Sequence, residues 1–176
     1  MSFLWGLISS LPHSLGLAST NLGNKNALII GTAMYGLGLI TDTVADYQKW
    51  ISKQKYPGKF CNVGLWSISQ HPNFFGNFLI WNGITLINIS ALIEPIVGDG
   101  SDLAFGVVVW SIHKAVFALL SPAFLWVFFL GQAKGEIGSG VDESLKRYGS
   151  DEEFKKYVDT VPLLVPNLKG IISQIF

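Results

Sequence analysis

LAFGVVVWSIHKAVFALLSPAFLWVFFL, residues 103–130, decides the fold class. It carries one formally charged side chain, Lys114. As a helix it would be about 42 Å long, against a hydrocarbon core of about 30 Å. The surplus allows tilt, and Pro122, with no backbone N–H to donate, predicts a kink. Two further stretches can span. Ala27–Thr43 has Asp42 and Asp46 at its end, and Phe74–Val97 is interrupted by Asn77, Asn82 and Asn88. Composition agrees: apolar residues make up 49% and charged residues 14%, where a soluble domain has about 25% charged. Mean hydropathy is +0.41. The expectation is an all-α integral membrane protein with three transmembrane helices. An N-terminal interfacial segment over 1–26 would precede a membrane domain over 27–168, with a short helical C-terminal tail and a terminal piece at 169–176.

Ten of the 12 Lys and Arg residues follow the first span or the third. Lys49, Lys53, Lys55 and Lys59 belong to the first group; Lys134, Lys146, Arg147, Lys155, Lys156 and Lys169 belong to the second. The link between spans two and three carries Asp99 and Asp102 and no cation. The positive-inside rule then places 47–73 and the tail on one face, where they can build one site at the membrane surface. Formal net charge is zero, so no global field would draw nucleic acid. The single cysteine, Cys61, excludes an internal disulfide. Residues 1–20 lack Lys and Arg, unlike a signal or transit peptide. The apolar stretch Phe3–Leu11 reads as an interfacial anchor ending at Pro12. In the tail, Asp142–Tyr148 reads as a helix stopped by Gly149. Ser150 reads as the cap of a second helix, Asp151–Val158, with Glu153 three residues on. Pro162 and Pro166 end regular structure.

Ser69-Gln70-His71-Pro72-Asn73 concentrates polar groups where the second span begins. A helix N-terminus there offers free N–H groups to a phosphate or carboxylate, and His71 can donate beside them. Asn73, Asn77, Trp81, Thr85 and Asn88 follow at helical spacing down one face. In a membrane such a stripe must face a cavity or a partner helix, and the partner-helix role is the expectation for Asn82 and Asn88. Lys114, near mid-span, should pair with Asp42, Asp46 or Glu94, or snorkel to an interface. Gly31, Gly36 and Gly38 read as small residues that let helices approach closely.

Several blocks occur in order: Asp42-x3-Asp46, the basic run to Lys53, Pro57-Gly58-Lys59-Phe60 and Gly64-Leu65-Trp66. Then come His71-Pro72-Asn73-Phe74-Phe75-Gly76, Trp81-x-Gly83, Lys146-Arg147-Tyr148-Gly149, Phe154-x2-Tyr157 and Pro162-x3-Pro166. Over residues 35–168 this pattern resembles the C-terminal domain of the steroid 5-alpha-reductase superfamily, especially its uncharacterised branch. It also resembles, more distantly, the isoprenylcysteine methyltransferases. The first resemblance implies NADPH-dependent reduction of a carbon–carbon double bond conjugated to a ketone. It would place Asp42, Asp46, Lys53, His71, Asn73 and Asn77 at the nucleotide, with Tyr157 helping to close the site.

Two positions depart from that pattern. Gln70 stands where many relatives have Arg, and Asn77 where they have Glu, so a fixed charge and an acid are replaced by amides. Family enzymes also carry further N-terminal spans that build the substrate pocket. The leading expectation is therefore an accessory subunit of a larger membrane complex with lapsed chemistry, set in lipid and beside other membrane subunits. The alternative is an active NADPH-dependent reductase of a lipid or steroid-like enone. An accessory subunit would suit an energy-transducing organelle membrane, and a reductase the endoplasmic reticulum.

Overall fold

The computed structural model describes residues 2–17, 24–97, 105–138 and 140–167, with the side chains of 2–5 and 94–97 left aside. Its helices are α1 (Ser2–Leu17), α2 (Lys25–Lys55), α3 (Pro72–Val97), α4 (Phe105–Lys134), α5 (Gly140–Tyr148) and α6 (Glu152–Thr160), with a 3-10 turn at Gly64–Ser67. Among the described residues there is no strand. Three helices, α2, α3 and α4, are long and apolar enough to cross a membrane, the make-up of an integral membrane protein.

Two boundaries differ from the sequence expectation. The first span continues as one helix to Lys55, so residues 47–55 are helix and the loop begins at Tyr56. Asp42, Asp46 and Lys49 end the apolar stretch but hold no helix-stop signal. The first breaker is Pro57-Gly58, and Lys53 and Lys55 suit the negative end of the helix dipole. At the N-terminus, α1 runs through Pro12 to Leu17. The Pro12 ring is fully buried, and that apolar burial offsets the hydrogen bond its missing N–H cannot make.

The chain divides into two compact units. The first comprises Met1–Leu37 and Phe78–Trp126. Here α1 packs on its neighbours through polar groups. The Ser121 hydroxyl of α4 donates to the Ser9 carbonyl at 3.1 Å, and a Cβ on Gly16 would run into the Asn88 side chain of α3. Leu92, Ala118 and Leu125 are fully buried, and Phe78 and Trp126 meet with ring centroids 4.8 Å apart. In the same unit α2 meets α3 backbone to backbone. A Cβ on Gly83 would lie 2.6 Å from the Gly31 carbonyl oxygen and 2.8 Å from the Tyr35 nitrogen. Gly31 thus serves close packing as expected, while Gly36 has nothing within 4 Å of its would-be Cβ.

Polar residues of this unit mostly satisfy their own helix. Asn82, Thr85 and Asn88 each donate to the carbonyl four residues back, at 2.8, 2.8 and 2.7 Å. One donor of each is thus used within α3, and Asn88 also touches α1 at Gly16. Lys114 is half-buried in the middle of α4, and among the described residues no ion pair joins it. Its expected partner Glu94 has a side chain outside the described set.

The second unit, Gly38–Asn77 and Val127–Phe176, repeats the close contact: a Cβ on Gly76 would lie 2.7 Å from the Asp42 nitrogen and 2.9 Å from the Gly38 carbonyl oxygen. The tail folds as two short helices, as its punctuation suggests. The α6 cap is one residue later than expected: Asp151, not Ser150, accepts from the Glu153 N–H at 2.8 Å. Asp151 binds the N2 amide of the helix, a common capping geometry. Lys169 and residues 169–176 lie outside the described residues, as do Asp99 and Asp102.

Candidate functional site

The second half of α2 holds the 3-10 turn in place. The Gln48 side-chain oxygen accepts from the Leu65 N–H at 2.9 Å, and the Trp66 indole donates to the Ala45 carbonyl at 2.8 Å. Gly64 has φ +56, which favours glycine, and a Cβ there would push on the Gln48 amide that binds Leu65. Trp66 is buried, and the Lys49 ammonium sits over its ring, 4.5 Å from the centroid. That contact fixes one cation in position.

After the turn the chain runs straight into α3. Ser69 is fully buried; its hydroxyl donates to the Leu164 carbonyl at 2.8 Å and accepts from the His71 N–H at 3.2 Å. His71 offers its carbonyl to Phe75 as the first helical acceptor, and Pro72 occupies the first helical position, where no N–H is needed. The His71 ring stacks on Phe74, with centroids 4.9 Å apart and planes at 7°, and Phe74 stacks on Phe129 of α4. The ring also hydrogen-bonds the Ala133 backbone.

Loop and tail meet, as the charge distribution implied. Besides the Ser69 bond, the Gln70 N–H donates to the Pro162 carbonyl and the Asn167 N–H to the Ile68 carbonyl. The Gln70 side chain donates to Val158 and Val161 carbonyls at 2.9 and 2.6 Å, and the Tyr157 hydroxyl to the Trp66 carbonyl at 2.8 Å. Phe60 joins Phe154 and Tyr157 at centroid distances of 5.3 and 5.2 Å, and Tyr148 at 6.2 Å.

Between these walls lies a cavity of about 680 Å³, within the 300–1,000 Å³ range of small-molecule sites. Lys49, Lys53, Lys59, Lys134 and Arg147 line it, with Glu143 as the facing carboxylate. His71, Asn73, Tyr148, Tyr157, Cys61, Gln70, Gln132 and Ser144 are among its other polar lining residues. The Asn73 side-chain oxygen is buried and accepts no hydrogen bond among the described residues. A buried acceptor without a donor is costly.

Four of the residues expected at a nucleotide, Lys53, His71, Asn73 and Tyr157, line this cavity. The other three do not. Asp46 is exposed on α2. Asn77 turns its amide to the Asp42 carboxylate and to the Asn73 carbonyl, the latter at 3.3 Å, so Asp42 and Asn77 tie α2 to α3. Lys49 and Arg147 are the informative residues that spacing alone did not single out, though Lys49 precedes Lys53 by one helical turn and so shares its face. Among the described residues no group of three His, Cys, Asp or Glu side chains gathers.

Burial, reinforced by the Lys49 ammonium, pushes His71 down to about 4, against a smaller opposing effect from the Ala133 hydrogen bond. The imidazole is neutral at pH 7. Burial, and then Cys61, raise Tyr157 well above the usual phenol range. A prediction follows for His71. Below about 6.5 an unfolded histidine takes up a proton, while the folded one does not until about 4. The unfolded state then binds more protons, and stability falls as pH drops through that window and levels off below it. The full effect is at most about 3 kcal/mol. Thermal unfolding of wild type and His71→Asn between pH 6.5 and 4 tests it: the wild type should lose more stability, and parallel curves would contradict the assignment.

Comparison with known proteins adds one finding. Neither curated proteins nor solved structures yield a match. A family model described as "Protein of unknown function (DUF1295)" matches residues 1–97, from α1 through the His71-Pro72-Asn73 segment to the end of α3. That span is just over half of the 176 residues, and the chain belongs to the DUF1295 family.

Proposed function

We propose that the chain is a steroid-reductase-like membrane protein whose cationic cavity binds NADPH. The observation that carries this reading is the cavity itself: five cationic side chains and one carboxylate line a space of small-molecule size. Phosphates of a dinucleotide suit Lys49, Lys53, Lys59 and Arg147, since a charged hydrogen bond to phosphate is worth about twice a neutral one. His71, neutral and stacked on Phe74, offers a donor without adding charge. When bound, NADPH would supply a hydride to a conjugated double bond. Lys-rich loop and tail would face the cytosol, matrix or stroma by the positive-inside rule, and lipid would cover the exposed apolar face of α2.

A specific observation favours the accessory-subunit reading as the second. Three positions of the reductase pattern hold the fold together: Gln70 binds tail carbonyls, Asn77 binds Asp42, and Tyr157 binds the Trp66 carbonyl. Their polar groups are committed to structure, which suits a chain kept for assembly. Extraction in mild detergent, native-gel separation and assay of NADPH in the same band separates the two readings. A small species holding NADPH is the expected result. A large stable complex without nucleotide would establish the accessory role instead. His71→Ala adds a second arm: the cofactor reading expects nucleotide to be lost with assembly unchanged.

A further inference from the structure

Residues 161–167 have no regular secondary structure, yet their backbone is fastened to the short segment that precedes α3. Pro162, Leu164 and Asn167 are bonded to Gln70, Ser69 and Ile68 in turn. Just before them, Val158 and Val161 present carbonyls at and just beyond the C-terminal end of α6, where a helix leaves its acceptors unpaired. The Gln70 amide takes both, at 2.9 and 2.6 Å.

Apart from these pins the tail is held by the rings around Phe60, the Tyr157 hydroxyl on the Trp66 carbonyl and the buried Leu164. Helix α5 buries no residue and α6 buries only Phe154. Segments with few buried apolar contacts and a handful of hydrogen bonds are the ones that open locally. The link from α4 also carries two glycines in the left-handed region, Gly135 at φ +79 and Gly138 at φ +85. The segment the strap fastens to is not passive. Its Trp66 carries Lys49, and its next residues are His71 and Asn73, all on the cavity wall. Undocking the strap therefore removes Tyr157 and Val158 from the cavity and frees the mounting of the opposite wall.

We propose that residues 152–167 form a gate on the cavity, latched by the Gln70 amide, and that latching and ligand binding are coupled. This rests on the NADPH reading above. In the closed state the strap completes the cavity; a ligand that needs the completed cavity holds it closed, and exchange of ligand requires the latch to open. Gln70 is then a positioning residue: it acts through the strap and through His71 beside it.

Amide hydrogen exchange on the full chain in lipid nanodiscs tests the gate, with NADPH as the probe and its binding followed in parallel by tryptophan quenching. In the wild type, saturating NADPH should slow exchange across 152–167 by about tenfold or more. Gln70→Leu, which keeps bulk but donates nothing, should speed exchange there by about tenfold without ligand and raise the NADPH dissociation rate similarly. NADPH that binds without altering strap exchange would overturn the gate and leave the cofactor site standing. Failure of the wild type to bind NADPH would overturn both. Should Gln70→Leu exchange fast in every helix, it has misfolded, and Tyr157→Phe decides: acceleration confined to 152–167 supports the gate, and unchanged exchange there overturns it.

Discussion

Gly83→Val is expected to cost about 3 kcal/mol or more of stability, while Gly36→Val on the same helix pair should be close to neutral. At Gly83 even a methyl group would lie 2.6 Å from the Gly31 carbonyl oxygen and 2.8 Å from the Tyr35 nitrogen. Both obstacles are backbone, so no rotamer change relieves the clash, and α2 must move off α3. Overpacking of a side-chain core costs about 1–3 kcal/mol; displacing two helix backbones belongs at or above the top of that range. Gly36 has nothing within 4 Å, and there valine only trades helix propensities. Thermal unfolding in detergent or bicelles measures both. Equal losses at the two positions would show that glycine matters here for a reason other than helix contact.

Lys49→Glu is expected to weaken NADPH binding by about 100-fold at low salt, and Lys55→Glu by far less. The two lysines lie on one helix near its charged end. Lys49 lines the cavity and is held by the Trp66 ring, whereas Lys55 is exposed, sits by Tyr56 and is not on the cavity wall. A charge-assisted bond is worth about 1.5–3 kcal/mol, and reversing the charge both removes it and adds repulsion. Lys49→Gln should fall between wild type and Lys49→Glu. The loss should shrink as salt rises, because screening weakens attraction and repulsion alike. Titrations of the three variants at two salt concentrations check this. If Lys49→Glu and Lys55→Glu behaved alike, the effect would be one of net charge and not of the site.

The spans were legible because a run such as residues 103–130 leaves few alternatives to a membrane helix. Their ends were less so. Asp42 and Asp46 look like the end of a span, yet only Pro57-Gly58 stops the helix, since polarity sets where a helix leaves the bilayer and backbone chemistry sets where it ends. Pro12 misled in the opposite direction: a helix tolerates proline when the ring is buried. The close helix contact was half visible. Gly31 and Gly38 lie seven residues apart, as do Gly76 and Gly83, and these four are buried, whereas Gly36, off that spacing, is not part of it. Basic loop and tail were expected to meet because their charges shared a side, and hydrogen bonds join them.

The site was legible only in outline. Motif position marked His71 and Asn73, but nothing local revealed that Asn77 would turn to Asp42 or that Gln70 would bind the tail. Those partners lie 35 and about 90 residues away in the chain, and a side chain's duty depends on which carbonyl folding delivers. Arg147 was hidden for the same reason: among the mixed charges of the tail, only the packing of α5 selects it for the cavity.

Titration of the purified protein in nanodiscs with NADPH, and in parallel with NADH, tests whether the cationic cavity is a dinucleotide site. Tryptophan quenching gives the signal, with Trp66, buried against Lys49 on the cavity wall, as the reporter at the site. A dinucleotide site should give saturable quenching by NADPH, weaker binding of NADH, which lacks one phosphate for the lysines, and loss of the signal in Lys49→Glu. No saturable quenching by NADPH from a folded wild-type protein would contradict it.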